Sequence, residues 1–164
     1  MTITTLHQPK DSASPLGKAL QEVLANTYGL FLATHNYHWN VEGANFVALH
    51  KLFDEQVNEL FTAIDSIAER IRAIGDYALP FEGDNITQLF KLTSNPLNKE
   101  TEAAARANRM IQNLVSLHVA VISSCQAAKA ECKKQKDEES ENVMVERITV
   151  HQKALWMLNS SLKQ

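Results

Sequence analysis

The chain has 164 residues, of which 45% are hydrophobic and 21% are charged, and its formal net charge is −3. A chain of this length is the size of one ordinary domain and can bury a full hydrophobic core. The composition excludes a disordered or low-complexity chain, and the negative charge argues against a globally basic nucleic-acid-binding protein. The 5 glycines and 4 prolines leave two long proline-free spans, 16–79 and 97–164, which favour helices.

Neither an oxidising compartment nor a membrane is indicated by the sequence. Cys125 and Cys132 are seven residues apart, and on one helix that separation is about 10 Å, too far for a disulfide. We therefore predict two buried, small apolar side chains. The first residues contain no apolar stretch of signal-peptide length, and no run approaches the ~18 apolar residues of a membrane span. We expect a soluble, cytoplasmic protein.

Residues 1–14 are polar and show no periodicity, which predicts a mobile N-terminal tail before a single domain over residues 15–164. Ser14 and Pro15 mark the start of the first helix, because serine caps helix N-termini and proline is tolerated in the first turn. Apolar residues then recur at steps of three and four as far as Asn40.

The second helix has the most regular pattern in the chain, and it lies between two glycines, Gly43 and Gly75. Its apolar positions are Phe46, Leu49, Phe53, Val57, Leu60, Ile64, Ile67, Ile71 and Ile74. Residues 76–98 form a long connection, in which NITQLFKL can form a short helix. A connection of this length inside one domain needs a reason, and crossing the length of a helix bundle supplies it.

A third helix is predicted to start near Lys99 and a fourth near Asp137. The segment 133–141 between them places lysines at the end of one helix and acids at the start of the next, as the helix dipoles favour. Four long helices with one long crossover between the second and third predict an all-α, ferritin-like four-helix bundle.

The second helix also carries two pairs of metal-ligand residue types, His50 with Asp54 and Asp65 with Glu69. Residues four apart lie side by side on a helix, so each pair can hold one ion. From Asp54 to Asp65 the helix turns by about 20° net, so both pairs share one face. The alternative is that these are solvated charges on an exposed face.

The two pairs are too far apart to bind the same ion in one chain. Asp54 and Asp65 are separated by about 16 Å along the helix, whereas ligand bonds to transition metals are about 2 Å long. Two antiparallel copies of the helix about a twofold axis would join opposite pairs and create two identical sites per dimer. A Glu-x-x-His motif, typical of a di-iron site inside a single bundle, does not occur in this sequence.

Residues 34–75, THNYHWNVEGANFVALHKLFDEQVNELFTAIDSIAERIRAIG, resemble the signature of the Dps family. These are small ferritins, known as DNA-binding proteins from starved cells. The most specific part is HWNVEGANF…LHKLFDE…DSIAE, and the resemblance extends to HQKALWMLNSSL at 151–162. It implies a hollow shell of twelve subunits with an iron-oxidising centre at each twofold dimer interface.

The resemblance also implies which residues bind the iron. His38, on an apolar stripe where a histidine is otherwise most often a core residue, joins the two pairs described above. The implied ligands are His38, His50 and Asp54 from one subunit, with Asp65 and Glu69 from its twofold mate. The implied activity is that of a ferroxidase that protects against oxidative damage. It oxidises Fe(II), preferentially with hydrogen peroxide rather than dioxygen, and stores ferric mineral inside the shell.

Aromatic residues near these positions have two interpretations. In similar proteins, tryptophans at the places of Trp39 and Trp156 lie near the iron centre and can accept stray radicals, but packing at an interface is the alternative. His35 is either a group that supports the ligands or a surface residue. No partner at ligand spacing accompanies the remaining histidines, which we expect to be structural or exposed: His7, His118 and His151.

Acidic residues open the fourth helix, and in similar shells carboxylates near this helix start line pores at the threefold axes. Asp137 and Glu141 share a face and are the first choice for an iron-access pore, with Glu138 beside them. Capping of the helix dipole is the alternative.

DNA binding and nucleoid compaction form the alternative function for the whole protein. Members of the family that bind DNA often use a lysine-rich tail, but this N-terminus carries only Lys10 and Lys18. Twelve weakly binding tails on one shell can together raise its affinity for DNA. A negatively charged shell, however, repels the phosphates of DNA. The lysine-poor tail therefore favours the iron-storing cage over the DNA-binding protein.

Overall fold

The computed structural model describes residues 13–78 and 100–162, and no strand occurs in those ranges. The four helices are α1 (Pro15–Asn40), α2 (Phe46–Ala73), α3 (Ala103–Gln135) and α4 (Glu138–Ser161). The predicted all-α four-helix fold is confirmed. Most of the predicted tail and the predicted short helix of the crossover lie outside the described residues.

The start of α1 is fixed by local capping and by the end of α2. The Oγ of Ser14 accepts a hydrogen bond from the N–H of Gly17 at 2.9 Å, and Pro15 occupies the first turn, where no N–H is needed. The buried carboxylate of Asp76, just beyond α2, accepts hydrogen bonds from the N–H of Ser14 at 3.2 Å and from its hydroxyl. These contacts tie the end of α2 to the start of α1.

A short turn reverses the chain between α1 and α2. Gly43 has a φ of 102°, a region that side-chain-bearing residues rarely adopt. Its carbonyl accepts a hydrogen bond from the N–H of Phe46 at 3.0 Å, while the N–H of Val41 donates to the carbonyl of Tyr37 at 2.9 Å. The turn therefore brings the end of α1 close to the first turns of α2.

The third helix begins later than the sequence pattern predicts, at Ala103 rather than near Lys99. Arg106 is the reason, because its Nη1 donates to the carbonyls of Glu100 at 3.1 Å and Thr101 at 2.8 Å. These bonds occupy the carbonyls of the lead-in and hold it outside the helix. The fourth helix begins next to its predicted position, with Asp137 as N-cap.

Packing in the bundle is uneven. Helix α1 packs along α2 and α3, and α3 packs along α4, whereas α2 and α4 make few contacts with each other. Cys125 and Cys132 are both free and buried in the core, as predicted, and burial raises the pKa of the Cys125 thiol to about 12. No helix in the described part of the chain is long and apolar enough to cross a membrane. The largest fully buried side chains are Phe53, Leu20, Leu24, Leu30, Leu60, Ile67, Ile71, Met110, Ile111, Leu114, Met144 and Leu158.

Candidate metal centre

The turn between α1 and α2 places two of the predicted ligands, His38 and His50, against each other. The Nδ1 of His38 donates to the carbonyl oxygen of His50 at 3.1 Å, and the Nδ1 of His50 donates to the carbonyl oxygen of His38 at 2.9 Å. The two imidazole rings are stacked, with their centroids 4.0 Å apart and an interplanar angle of 24°. Each histidine ring is thus held by a hydrogen bond to the main chain of the other histidine.

These hydrogen bonds determine which ring nitrogens can bind a metal. A carbonyl oxygen only accepts, so each Nδ1 carries a proton and, in the neutral imidazole, each Nε2 keeps its lone pair. Hydrogen bonding of one ring nitrogen to a main-chain carbonyl is the usual way in which proteins orient a metal-binding imidazole. The Nε2 atoms of His38 and His50 are therefore the candidate ligand atoms of the pair.

The three predicted carboxylate ligands all lie on exposed positions of α2. Asp54 follows His50 by one turn, whereas Asp65 and Glu69 lie about three turns further along the helix. Within residues 13–78 and 100–162, no three His, Cys, Asp or Glu side chains lie close enough together to hold a metal ion. The candidate ligands of a single chain therefore fall into two separate groups, called half-sites below: His38, His50 and Asp54 in one, and Asp65 and Glu69 in the other.

Trp39 lies near the first of these half-sites and Phe61 lies between the two on α2, whereas Trp156 is an exposed aromatic residue of α4. The ring of Trp39 lies 4.1 Å from that of His35, which is 6.2 Å from the ring of His38. Trp39, Phe61 and Trp156 are each more than 60% exposed. Large apolar groups exposed together are typical of a surface that meets another protein.

The acidic start of α4 divides into capping and free carboxylates. The carboxylate of Asp137 accepts from Arg70 Nη2 at 2.9 Å and from the N–H of Ser140 at 2.9 Å. Burial alone would raise the pKa of Asp137, but the hydrogen bonds from Ser140 and Arg70 outweigh it and hold the pKa below its usual value. Glu141 lies 3.7 Å from Lys133, and Glu138 is exposed. Of the three predicted pore residues, Asp137 is thus already engaged as a cap.

A pair of histidines inside the bundle was not predicted from the sequence to form a cluster. His118 and His151 are buried, with their Nδ1 atoms 2.9 Å apart. Burial, together with the nearby charge of Arg147, lowers the pKa of His118 to about 4. Burial, His118 and Arg147 lower that of His151 to about 2. The only signal in the sequence is the position of His151 on an apolar stripe, because the two histidines are 33 residues apart.

Comparisons with known proteins define the class and then the family. Residues 17–164 match the family model of the ferritin-like domain. A "DNA protection during starvation protein" of Brevibacillus brevis is 30% identical over 145 residues, covering 88% of this chain and 92% of the relative. The chain belongs to the Dps family of ferritin-like proteins.

Solved structures agree with this assignment. The crystal structure of Dps from Staphylococcus aureus superposes with a TM-score of 0.77 at 26% identity, covering 93% of this chain and 99% of that one. Dps from Vibrio cholerae gives a TM-score of 0.72 at 27% identity, covering 90% and 89% of the two chains. That protein is described as a member of a broad superfamily of ferritin-like diiron-carboxylate proteins. The fold of this chain accordingly supports a role in iron storage and protection.

Proposed function

We propose that this protein is a cytoplasmic ferroxidase that oxidises Fe(II) at sites shared between subunits and stores the ferric mineral in a shell of twelve. The observation that carries the proposal is the reciprocal hydrogen bonding of His38 and His50, which leaves two Nε2 lone pairs available.

The sharing between subunits follows from the separation of the half-sites on α2. In the proposed centre, His38, His50 and Asp54 of one subunit face Asp65 and Glu69 of its twofold mate. An antiparallel arrangement of two α2 helices brings unlike half-sites together at both ends, so each dimer holds two identical centres. The exposed Phe61 lies between the half-sites on the same helix, where a partner subunit would cover it.

The ligand set suits an ion that must bind, react and leave. Imidazole binds Fe(II), and carboxylate oxygens also tolerate Fe(III), so the product is not trapped by soft ligands. Two Fe(II) ions supply the two electrons that reduce one hydrogen peroxide, with two protons, to two waters. Removing Fe(II) and peroxide together suppresses hydroxyl radicals, and dioxygen is the alternative oxidant. Trp39, beside His38 in the chain, is the proposed acceptor of stray radicals.

DNA compaction is the second candidate function, because relatives such as the Brevibacillus brevis protein are named for the protection of DNA during starvation. The net charge of −3 opposes it, because affinity for DNA rests on neutralising phosphates. A gel shift at low and moderate salt separates the two candidates. Retarded DNA at moderate salt would make compaction the better description.

The test of the proposed centre begins with the native mass, expected near twelve times 18.4 kDa. Two double variants, Asp65→Ala/Glu69→Ala and His50→Ala/Asp54→Ala, are each expected to lose most iron oxidation. Random reassembly of an equal mixture makes half of the dimers hybrid, and each hybrid has one complete site out of two. The mixture should therefore regain about a quarter of the wild-type rate of ferric absorbance after peroxide addition.

The matched control is Glu55→Ala, an exposed acid on the same helix but on another face. The Glu55→Ala variant should oxidise iron at the wild-type rate. The unfolding free energy of the Asp65→Ala/Glu69→Ala variant should change by about 0.5 kcal/mol or less, because both side chains are exposed. Hybrid dimers that form and remain inactive would refute the shared site. A monomeric mass at micromolar concentration would refute both the shell and the site.

A further inference from the structure

A cleft opens between α2 and α4, where these two helices make few contacts. Its volume is about 140 Å³. Gln56 lines the cleft, and it lies about 200° around the helix from Asp54. The cleft therefore faces away from the candidate iron ligands. Its walls are Leu52, Glu55, Gln56, Glu59, Leu60, His118, Val150, Lys153, Ala154 and Met157.

A chain of buried hydrogen bonds starts at Arg147 and runs to this cleft. Arg147 forms a bidentate ion pair with Glu59, and its Nη2 lies 3.4 Å from His151 Nε2. A guanidinium only donates, so His151 Nε2 accepts and its proton sits on Nδ1. That proton is donated to His118 Nδ1 at 2.9 Å, and His118 Nε2–H then donates to Gln56 Oε1 at 3.4 Å.

Two buried donors along this chain have no partner among the described residues, Arg147 Nε and Gln56 Nε2, and of the two Gln56 lines the cleft. Because Gln56 accepts through Oε1, its Nε2 carries two N–H donors, and no residue in the described part of the chain accepts from them. Gln56 is only 8% exposed, so its amide is largely removed from bulk water. A buried donor of this kind is expected to find an acceptor, and the space beside it is the cleft.

The other residues that line the cleft indicate what kind of molecule can supply that acceptor. Charge is balanced, because Glu59 is paired with Arg147 while Glu55 and Lys153 carry opposite signs. The other wall residues are mostly apolar. An engineered apolar cavity of about 150 Å³ in another protein holds benzene, so this cleft has room for about six or seven non-hydrogen atoms.

We propose that the cleft between α2 and α4 binds a small uncharged organic molecule, with an apolar body and a single carbonyl or hydroxyl oxygen that accepts from Gln56 Nε2. The apolar body contacts Leu60, Val150 and Met157, and its oxygen completes the hydrogen-bond chain that begins at Arg147. The site is separate from the proposed iron centre, and its test does not depend on that centre.

Two probes of matched shape test the oxygen requirement: cyclohexanone and methylenecyclohexane, which carry C=O and C=CH2 at the same place. Their affinities are measured on the assembled protein by saturation-transfer NMR titration. The ketone-to-hydrocarbon affinity ratio should fall about fivefold or more in Gln56→Leu, as expected for the loss of one hydrogen bond. Gln152→Leu, an exposed glutamine on α4, should leave the ratio unchanged.

A crystal structure of the protein soaked in cyclohexanone tests the binding position. The ketone oxygen is expected within hydrogen-bond distance of Gln56 Nε2. Ala154→Met fills the cleft while Gln56 itself is unchanged, and it should weaken both probes at least about tenfold. This variant tests the proposal even if Gln56→Leu does not fold. The proposal is overturned if neither probe binds the wild type or if Gln56→Leu keeps the ratio. It is also overturned if the soaked cleft holds only ordered water or a segment of the protein.

Discussion

The buried pair His118 and His151 has consequences that differ from those of the pair at the candidate metal centre. Its two facing Nδ1 atoms share one proton, and Arg147 adds a positive charge on the far side of His151. A second proton would place like charges together in a buried environment. The folded protein therefore keeps both rings neutral, with pKa values of about 4 for His118 and about 2 for His151, whereas the unfolded chain protonates them near 6.5.

Acidification from pH 6.5 to 5 is predicted to destabilise the fold through this pair. The unfolded state binds protons there that the folded state does not, so stability falls as the pH falls, with a slope for each histidine that rises to about 1.4 kcal/mol per pH unit near pH 5. Urea unfolding midpoints at fixed protein concentration measure the slope. His118→Asn, which keeps an acceptor near the Nδ1 position, should reduce the slope by about one proton. An unchanged slope would show that other groups control acid stability.

At the scale of the elements, two glycines of α1 occupy opposite environments. A Cβ at Gly17 would lie 2.1 Å from Asp76 Oδ2, in the contact that ties the start of α1 to the end of α2. A Cβ at Gly29 would meet nothing within 4 Å. The same substitution therefore tests the contact with Asp76 at one position and helix propensity alone at the other.

Gly17→Ala is predicted to lower the unfolding free energy by about 1–3 kcal/mol, because the Asp76 carboxylate must move away from Ser14 and lose its hydrogen bonds. Gly29→Ala is predicted to raise it by up to about 1 kcal/mol, since alanine favours the helix. Thermal unfolding of both variants beside the wild type gives the comparison. Equal shifts in the same direction would mean that the Asp76 contact does not hold the end of the bundle.

The sequence pattern predicted these elements well where the apolar spacing was regular, as in α2. It placed the start of α3 too early because nothing local reveals that Arg106 binds the carbonyls of Glu100 and Thr101. His38 and His50 were predicted as ligands, which stays a prediction, but the sequence did not indicate that they pair or where their protons lie. Those positions depend on two carbonyls that meet only after the chain has turned. The cluster of His118 and His151 forms only when α3 and α4 pack together, so no spacing rule within one helix could find it.

The proposed shell requires a route by which iron enters its cavity, and the acidic start of α4 remains the predicted route. Asp137 is a poor choice for testing it, because its loss would also remove the cap and the ion pair with Arg70. Glu138 and Glu141 lie three residues apart on one face of α4 and leave that cap intact.

Glu138→Gln/Glu141→Gln is predicted to slow iron uptake about threefold or more at 0.01 M salt. At 0.15 M salt the effect should be small, because the screening length falls from about 30 Å to about 8 Å. Stopped-flow recording of ferric absorbance at both salt concentrations measures it. Glu146→Gln, further along α4, is the control for the lost charge. Wild-type uptake at low salt by an assembled double variant would place the route elsewhere.

The uneven packing of the bundle also has a consequence for the order of folding. Helices α1 and α2, and likewise α3 and α4, are joined by short connections and pack closely, so each pair can form as a local hairpin. Besides the pair of Arg70 with Asp137 at the start of α4, the ion pair between Glu59 and Arg147 joins α2 of the first hairpin to α4 of the second. It forms only when the hairpins dock in the native register. A slipped register would bury Arg147 without a partner, so this one pair selects against misdocked forms of the chain.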